Sequence, residues 1–449
     1  MVGHAPGLFT KFNHLLPSKI IVIGDLILDV YTEGKISRVS PEAPVTVLHV
    51  DKKSRCLGGA ANVALNLKAL GMDPVCIGCV GDDSGADDFL EEMESQGIST
   101  QGIFRDSRRK TCVKNRLIAS HQQIVRIDEE RIEPISDALE KQILDALAKE
   151  LNGAGAVILS DYAKGTLTSP LIQEIIALAN DVGAPVIVDP KGLDFAKYKG
   201  ATLIKPNEKE AYEAAGLERA HDVEDVAQAL GKVIGGASLI ITRADKGVAI
   251  FEPGKPPKYS DAIVRKVKDV TGAGDTVCAT LSCCMANGWD LKSAADLANV
   301  AASLSIEGVG CVAVTLSDLA KRLIHHHFTS KIFEQGNLFA LKHVLSDREF
   351  NLLTIEEGVK FSAQLFHCLI DLKSQKSKKE SHELVVYFSG SDPCPDLVSI
   401  LNSLEEVDYI VMKKSNLESL CSEIKPREIF AFRGSKVDKV SRMSDVLNV

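Results

Sequence analysis

The segment Asp269-Val-Thr-Gly-Ala-Gly-Asp-Thr-Val-Cys-Ala-Thr280 concentrates the chemistry-bearing signals of this 449-residue chain. Gly272, Ala273 and Gly274 are small enough to let the backbone approach a ligand closely, and they lead straight into a helix predicted over Asp275–Ala286. The first turn of such a helix offers unpaired N–H groups reinforced by the helix dipole, which together attract an anion. A lone Asp in a first turn ordinarily does no more than stabilise the helix. Asp275, however, follows three small residues that would leave an anion beside its carboxylate. That arrangement suits a base that takes a hydroxyl proton while the cradle steadies a transferring phosphoryl group. A carboxyl near its reference pKa of about 3.9 is ionised at neutral pH and can accept that proton.

Two further elements carry polar groups at helix starts. Gly58-Gly-Ala-Ala-Asn-Val-Ala64 enters a helix with Asn62 as the one polar side chain among Ala and Val. Tight helix–strand packing explains Gly58 and Gly59 but not Asn62, whose amide offers both donor and acceptor to a polyol. Lys205-Pro-Asn-Glu-Lys-Glu210 follows a predicted strand, and Asn207 and Glu210 share one face of a helix start. They can form a capping box, or hold a hydrated Mg²⁺ bridging nucleotide phosphates, and the two readings are compatible.

These segments need a scaffold, and the hydrophobic pattern supplies one. Short, mostly unbroken apolar runs at Ile20–Ile23, Pro74–Ile77, Ala156–Leu159, Pro185–Val188, Thr202–Ile204, Ser238–Ile241 and Val248–Phe251 read as strands covered on both faces. Helical stretches fall between them, at Ala60–Leu70, Gly85–Gln96, Ile135–Leu151, Ser169–Asp181, Glu208–Ala215 and Val223–Val233. The rhythm predicts one large, mostly parallel sheet with helices on both sides, an α/β fold. Pro44–Val50 and Thr111–Ile127 have no helix to pair with and alternate in polarity, so they read as strands of a small separate sheet projecting from the body.

Composition bounds the partners. The chain is 45% hydrophobic and 25% charged with a net charge of −9, which leaves no basic field for nucleic acid or an anionic membrane surface. No run approaches the roughly 20 apolar residues of a membrane span, and Met1–Ser18 lacks a secretory signal pattern, so a cytoplasmic protein is expected. The 11 Cys are odd in number and scattered; Cys76 and Cys79 fall in a strand and read as buried thiols.

The Gly58–Asn62 element, Asn207–Glu210 and Asp269–Thr280, in this order over about 300 residues, resemble the PfkB/ribokinase family of sugar kinases. Within it the chain is most similar to the heptose-7-phosphate kinases fused to a heptose-1-phosphate adenylyltransferase. That likeness rests on Gly24-Asp-Leu-Ile-Leu-Asp29, Ser37–Pro44, His121–Asp128, Leu159-Ser-Asp-Tyr-Ala-Lys-Gly165 and Val188-Asp-Pro-Lys-Gly192. The resemblance implies a ribokinase-like fold with a β-sheet lid, strands of which fall at about 30–50 and 110–128, in a first domain over 1–327. It implies that Asp275 is the catalytic base and that Gly272, Ala273 and Gly274 form the anion hole. Asn207, Glu208, Lys209 and Glu210 would face ATP and Mg²⁺, with Glu210 toward the metal, and Thr242, Gly247 and Asn299 would lie near the nucleotide. Asp29, Gly58, Gly59 and Asn62 would hold sugar hydroxyls. Arg116, Arg126, Lys164 and Lys191 are candidate partners of a sugar phosphate, each equally open to a surface ion pair. The implied reaction is phosphorylation of D-glycero-β-D-manno-heptose 7-phosphate at O1, in ADP-heptose synthesis, by a homodimer paired through the lid. Other outcomes are a kinase for another sugar or a nucleoside, and a non-catalytic scaffold. One departure is Ile306–Cys311, where those kinases usually carry a Gly-Thr pair.

Beyond Ser317 the texture changes. A helix over Ser317–His325 runs into three consecutive histidines, which point to different sides of a helix and read as a solvated end. Residues 328–383 read as poorly patterned helical stretches and a polar linker. A second alternation follows: strands at Glu383–Phe388, Asp408–Met412 and Glu428–Phe432, with helices at Asp396–Leu404 and Leu417–Glu423. This predicts a smaller Rossmann-like α/β domain over 328–449 resembling the adenylyltransferase half. Its H-x-G-H motif is replaced, with Ser362 and Leu365 at the histidine positions, and Phe432-Arg-Gly-Ser435 stands where Lys-Gly-Gly-Asp is usual. Both losses point to an inactive transferase, the remaining reading being one that still adenylylates heptose 1-phosphate.

Overall fold

The computed structural model describes residues 7–120, 122–263, 267–308, 310–327, 331–333, 338–346, 348–374, 382–390, 393–412, 425–434 and 436–440. His121, Ser435, the helix expected at Leu417–Glu423, most of the polar run 373–382 and the side chains of His325–His327 therefore lie outside the described residues. The chain divides into two compact units, one over 16–315 and one formed by 316–449 with 3–15. The helix Leu316–His327 groups with the second unit.

The first unit contains a nine-stranded sheet and a four-stranded sheet. Its strands are β1 (Lys19–Gly24), β2 (Leu26–Val39), β3 (Thr46–Gly59), β4 (Asp73–Gly81), β5 (Ile103–Asp106), β6 (Cys112–Ala119), β7 (Gln122–Glu129), β8 (Ala154–Ser160), β9 (Val186–Asp189), β10 (Leu203–Ile204), β11 (Ser238–Thr242), β12 (Val248–Phe251) and β13 (Lys258–Ser260). The large sheet runs β13-β12-β11-β10-β9-β8-β1-β4-β5, parallel except for β12 and β13 at one edge. The apolar runs make this sheet because helices bury both faces: Ile20, Ile21, Val22 and Ile23 of β1 are all fully buried. Each such side chain contributes about 1.5–3 kcal/mol. A helix not expected from the pattern, Leu291–Ser305, packs beside Ala273–Ala286; both faces of it are apolar or small, which blurs the periodicity.

The smaller sheet, β3-β2-β6-β7, is the lid. Its strands are longer than the alternating segments suggested, β2 and β3 running 14 residues each. Both begin or end inside the body, where Leu26–Val30 and Leu57–Gly59 are buried, and only their distal halves alternate or are exposed. Register places Asp29 beside both Cys56 and Lys114, and Tyr31 beside Arg116, which in turn faces Arg126. With a side-chain period of two, these residues share one face of the lid.

The second unit holds a six-stranded sheet built from β14 (Ile332–Phe333), β15 (Glu349–Ile355), β16 (His382–Phe388), β17 (Tyr409–Val411), β18 (Glu428–Arg433) and β19 (Lys436–Val440), in the order β14-β17-β16-β15-β18-β19. β15 corrects the reading of 328–383 as helical: Phe350, Leu352, Leu353 and Ile355 form a short, wholly buried apolar run, which periodicity cannot tell from a helix.

Candidate active site

The site gathers at the carboxyl ends of the parallel strands, where α/β sheets bind ligands. Asp25, immediately after β1, accepts the backbone N–H groups of Tyr162, Lys164 and Thr166 at 2.9–3.1 Å. A single buried carboxylate thus shapes the loop after β8, and burial raises its pKa against the pull of those bonds. The loop is held so that the Tyr162 hydroxyl donates to Asp275 Oδ1 at 2.6 Å.

Asp275 lies in the first turn of the helix Ala273–Ala286 and is buried. Its Oδ2 accepts from Asn62 Nδ2 at 2.6 Å. The helix is capped by Gly272 in the left-handed region, φ 78°. A Cβ there would come within 2.9 Å of Asn62 Nδ2, so the glycine both makes the turn and leaves room for the amide. Burial raises the Asp275 pKa, while the Tyr162 and Asn62 hydrogen bonds and the Lys205 charge oppose it. The result is a carboxylate of enhanced basicity with two donors fixing its direction.

Lys205 and Asp189, after β10 and at the end of β9, form a largely buried ion pair of 2.9 Å. Lys205 Nζ is the nearest group to a Cβ built on Gly274, at 3.9 Å, so a fixed cation sits beside the helix mouth. Burial pushes Asp189 up to about 6 despite its partner. For Lys205, burial alone would lower the pKa, and the Asp189 charge reverses that.

A cleft of about 700 Å³ opens beside Gly274, a size suited to a small organic ligand or cofactor. Asn207, Glu208, Lys209, Thr242, Gly247, Ala273, Gly274 and Asn299 line it, together with an apolar wall that includes Val248, Val270 and Val277. All the residues expected near the nucleotide except Glu210 therefore line one cleft. Asn207 and Glu210 form the full capping box, Asn207 Oδ1 taking the Glu210 N–H at 2.9 Å and Glu210 Oε2 the Asn207 N–H at 3.0 Å. Asn299 donates to Ser260 and Asp261, which ties its helix to the end of β13. Gly247, at φ 77°, stands where a Cβ would strike the Ser260 carbonyl. Lys209 is exposed and lies 3.7 Å from Glu213.

The acceptor-side candidates are more dispersed. A Cβ on Gly58 would collide with the Asp29 carboxylate and one on Gly59 with the Asp25 backbone carbonyl. The close approach that these glycines permit is to the protein's own chain, at one side-chain acid and one backbone carbonyl. Asp29 is buried and paired with Arg116. Arg126 forms a two-bond pair with Asp128 on its own exposed strand. Lys164 Nζ meets Glu130 at 2.6 Å, and Lys191 Nζ meets Glu210 Oε1, the capping-box partner of Asn207, at 2.6 Å. Tyr162, Lys205 and Lys114 are the site residues that pattern reading passed over. Lys114 lies 5.8 Å from the centroid of the Tyr162 ring, within cation–π range. Tyr162 and Lys205 sit in motifs quoted above and Lys114 in the segment Thr111–Ile127 read as a strand, but only the fold shows where each points.

Residues 17–318 match the pfkB family carbohydrate kinase profile. The chain belongs to this family. The kinase is accordingly a phosphotransferase with an alcohol group as acceptor. It is 41% identical over 335 residues to "Bifunctional protein HldE" of Pelobacter propionicus, covering 74% of this chain and 68% of that protein. The protein of the same name from Desulfatibacillum aliphaticivorans is 34% identical over 442 residues, 94% of this chain and 89% of that one. With the Pelobacter protein and its Trichlorobacter lovleyi counterpart the match spans about two thirds of their length, 68% and 66%. Among solved structures, an Arabidopsis thaliana ribokinase complexed with ribose and ATP superposes with a TM-score of 0.56 at 21% identity, over 70% of this chain and 100% of that one. The shared fold is ribokinase-like.

No helix among the described residues is long and apolar enough to cross a membrane. In the second unit Leu365 is fully buried in the core, and Ser362 caps the helix Ala363–Ser374 by accepting the Leu365 N–H at 3.2 Å.

Proposed function

We propose that the kinase transfers the γ-phosphoryl group of ATP to the anomeric hydroxyl of D-glycero-β-D-manno-heptose 7-phosphate, giving the 1,7-bisphosphate. The observation that carries the reading is the Asp275 carboxylate, aimed by Tyr162 and Asn62 at the mouth of a helix that borders the nucleotide-sized cleft. Each Asp275 oxygen spends one acceptor site on these donors and keeps capacity for an incoming hydroxyl. The hydroxyl gives its proton to Asp275 as its oxygen bonds to the γ-phosphorus and ADP leaves. The N–H groups of Gly274 and Asp275, in the first helical turn, have no carbonyl partner within the helix and face the developing charge, with Lys205 beside them.

The apolar wall of Val248, Val270 and Val277 suits an adenine, and Asn207 stands at the polar end with Glu210 as its capping-box partner. Both Glu210 oxygens are already engaged, by the Asn207 N–H and by Lys191. That donor set fits Mg²⁺ held through its own waters rather than by direct ligation. When bound, Mg²⁺ neutralises charge on the nucleotide phosphates. For the acceptor, the lid face carrying Asp29, Lys114, Arg116 and Arg126 supplies both a hydroxyl acceptor and cations for a phosphate. Lid closure would exclude water and so limit ATP hydrolysis.

The test is Asp275→Asn with coupled ADP release over a panel of sugars and sugar phosphates. Near-normal turnover by the variant refutes the base assignment; a preference of the wild type for an unphosphorylated sugar refutes the acceptor. The proposal extends to a second unit inactive in nucleotidyl transfer, since Leu365 faces the core where a phosphate ligand would be needed. Pyrophosphate release from ATP and heptose 1-phosphate would overturn that. A homodimer paired through the lid is supported by its exposed apolar side chains, among them Val39, Val125 and Ile127, and is checked by sedimentation. A cytoplasmic setting agrees with cysteines that are all unbridged among the described residues.

A further inference from the structure

We propose that Asp29, Cys56 and Cys311 form a binding site for a soft divalent cation of the zinc class, on the lid face that borders the acceptor end of the active site. Cross-strand register sets Cys56 of β3 directly beside Asp29 of β2. Cys311 arrives from the loop after the helix Leu291–Ser305, which Asp269 pins by accepting the Gly310 N–H at 2.9 Å. The two sulfurs and a carboxylate oxygen all lie within 4.8 Å of one another. Zinc bonds of about 2.3 Å to sulfur and 2.0–2.2 Å to oxygen put tetrahedral ligands roughly 3.3–3.8 Å apart, so small side-chain rotations close the set.

Charge and polarity agree with this occupant. Two thiolates and a carboxylate carry three negative charges, which a divalent cation and the neighbouring Arg116, ion-paired to Asp29, bring to zero. Binding releases both thiol protons to the buffer. The fourth position would fall to water, and the Tyr31 hydroxyl, whose ring Arg116 faces at 5.4 Å, is buried without a hydrogen-bond partner among the described residues. Thiolate ligands discriminate against Mg²⁺ and Ca²⁺, which favour oxygen donors, so the ion that accompanies a nucleotide does not compete here. Both cysteines are half-buried, which leaves the site open to entry.

A filled site occupies Asp29, so cation and acceptor exclude each other; this consequence alone rests on the function proposed above. The experiment titrates Co²⁺ into the reduced full-length protein in the absence of nucleotide and sugar, and then displaces it with Zn²⁺. A thiolate-to-cobalt charge-transfer band saturating at one equivalent is expected. It should be lost or weakened at least about a hundredfold in Cys56→Ser and in Cys311→Ser, since even outer partners of a metal ligand are worth 10–100-fold. Cys394→Ser, in the second unit, should leave the band unchanged, and Cys311→His should retain Zn²⁺ with a weaker cobalt band, which separates ligand loss from misfolding. Absence of the band in the wild type, an equal band in both serine variants, or oxidation of Cys56 and Cys311 to a disulfide under reducing conditions overturns the proposal. Added heptose 7-phosphate should weaken the cation; a cation that binds identically with and without it leaves the metal site standing and refutes Asp29 as an acceptor ligand.

Discussion

Removing the Tyr162 hydroxyl tests the proposed base in a way that removing the base itself does not. Tyr162→Phe deletes the donor that meets Asp275 Oδ1 at 2.6 Å and keeps the ring against which Lys114 rests. Hydrogen bonds to a charged group contribute about 1.5–3 kcal/mol. This one favours the ionised carboxylate, opposing the upward push of burial. Its loss should therefore raise the Asp275 pKa further. A group that must be ionised to accept a proton then fails at higher pH, so the acid limb of kcat/KM moves upward. The assay is coupled ADP release with a phosphorylated acceptor, followed from about pH 5 to pH 9, where the free enzyme's base appears in kcat/KM. On the plateau the variant should keep most of its rate, because the stronger base offsets the looser geometry. Asn62→Ala, which removes the other donor, should shift the limb in the same direction. An acid limb that stays in place in both variants, while Asp275→Asn is inactive, would refute the reasoning: the limb would then belong to another group.

Gly272→Ala should cost about 1–3 kcal/mol in urea unfolding, because the residue sits at φ 78° and the new methyl group meets Asn62 Nδ2 at 2.9 Å; it should also depress turnover by displacing Asn62. Lys205→Met should destabilise the protein by about 3–5 kcal/mol by leaving Asp189 unpaired in the interior, measured by thermal or urea unfolding. Lys114→Met should raise KM for a phosphorylated acceptor and leave KM for ATP unchanged, read from initial rates with each substrate varied. Asp189, held near 6, keeps its proton in the folded state at pH values where the unfolded chain has released it. Stability relative to Asp189→Asn should therefore fall by roughly 3 kcal/mol as pH rises from the ordinary carboxylate range through 6, as urea titrations at a series of pH values would report.

Much of the kinase unit was legible in the linear pattern because strands buried on both faces leave short apolar runs, and here these alternate regularly with helical stretches and turn residues. Ile20–Ile23 and Ala156–Leu159 are of this kind, and both lie in the middle of the large sheet. The segment read as a phosphate cradle was legible for a related reason: Gly272, Gly274 and Asp275 lie within one helical turn, so their spacing is local. Asn62 stood out as a polar residue where packing alone would place Ala. Elsewhere the pattern was silent. Phe350–Ile355 is too short for periodicity to decide between strand and helix, and only its place between β16 and β18 makes it a strand.

The amino-acid sequence by itself determined the fold class, the family resemblance and the helix mouth with its carboxylate, because each depends on residues near one another along the chain. The tertiary structure alone decided what surrounds that carboxylate. Tyr162 reaches it because Asp25, more than a hundred residues earlier, gathers the loop after β8. Lys205 stands beside Gly274, Lys191 pairs with Glu210, and Cys56 meets Cys311, through strand order and loop docking. Such neighbours are set by which strand ends converge at one edge of the sheet, and side-chain direction across that gap leaves no trace in local spacing.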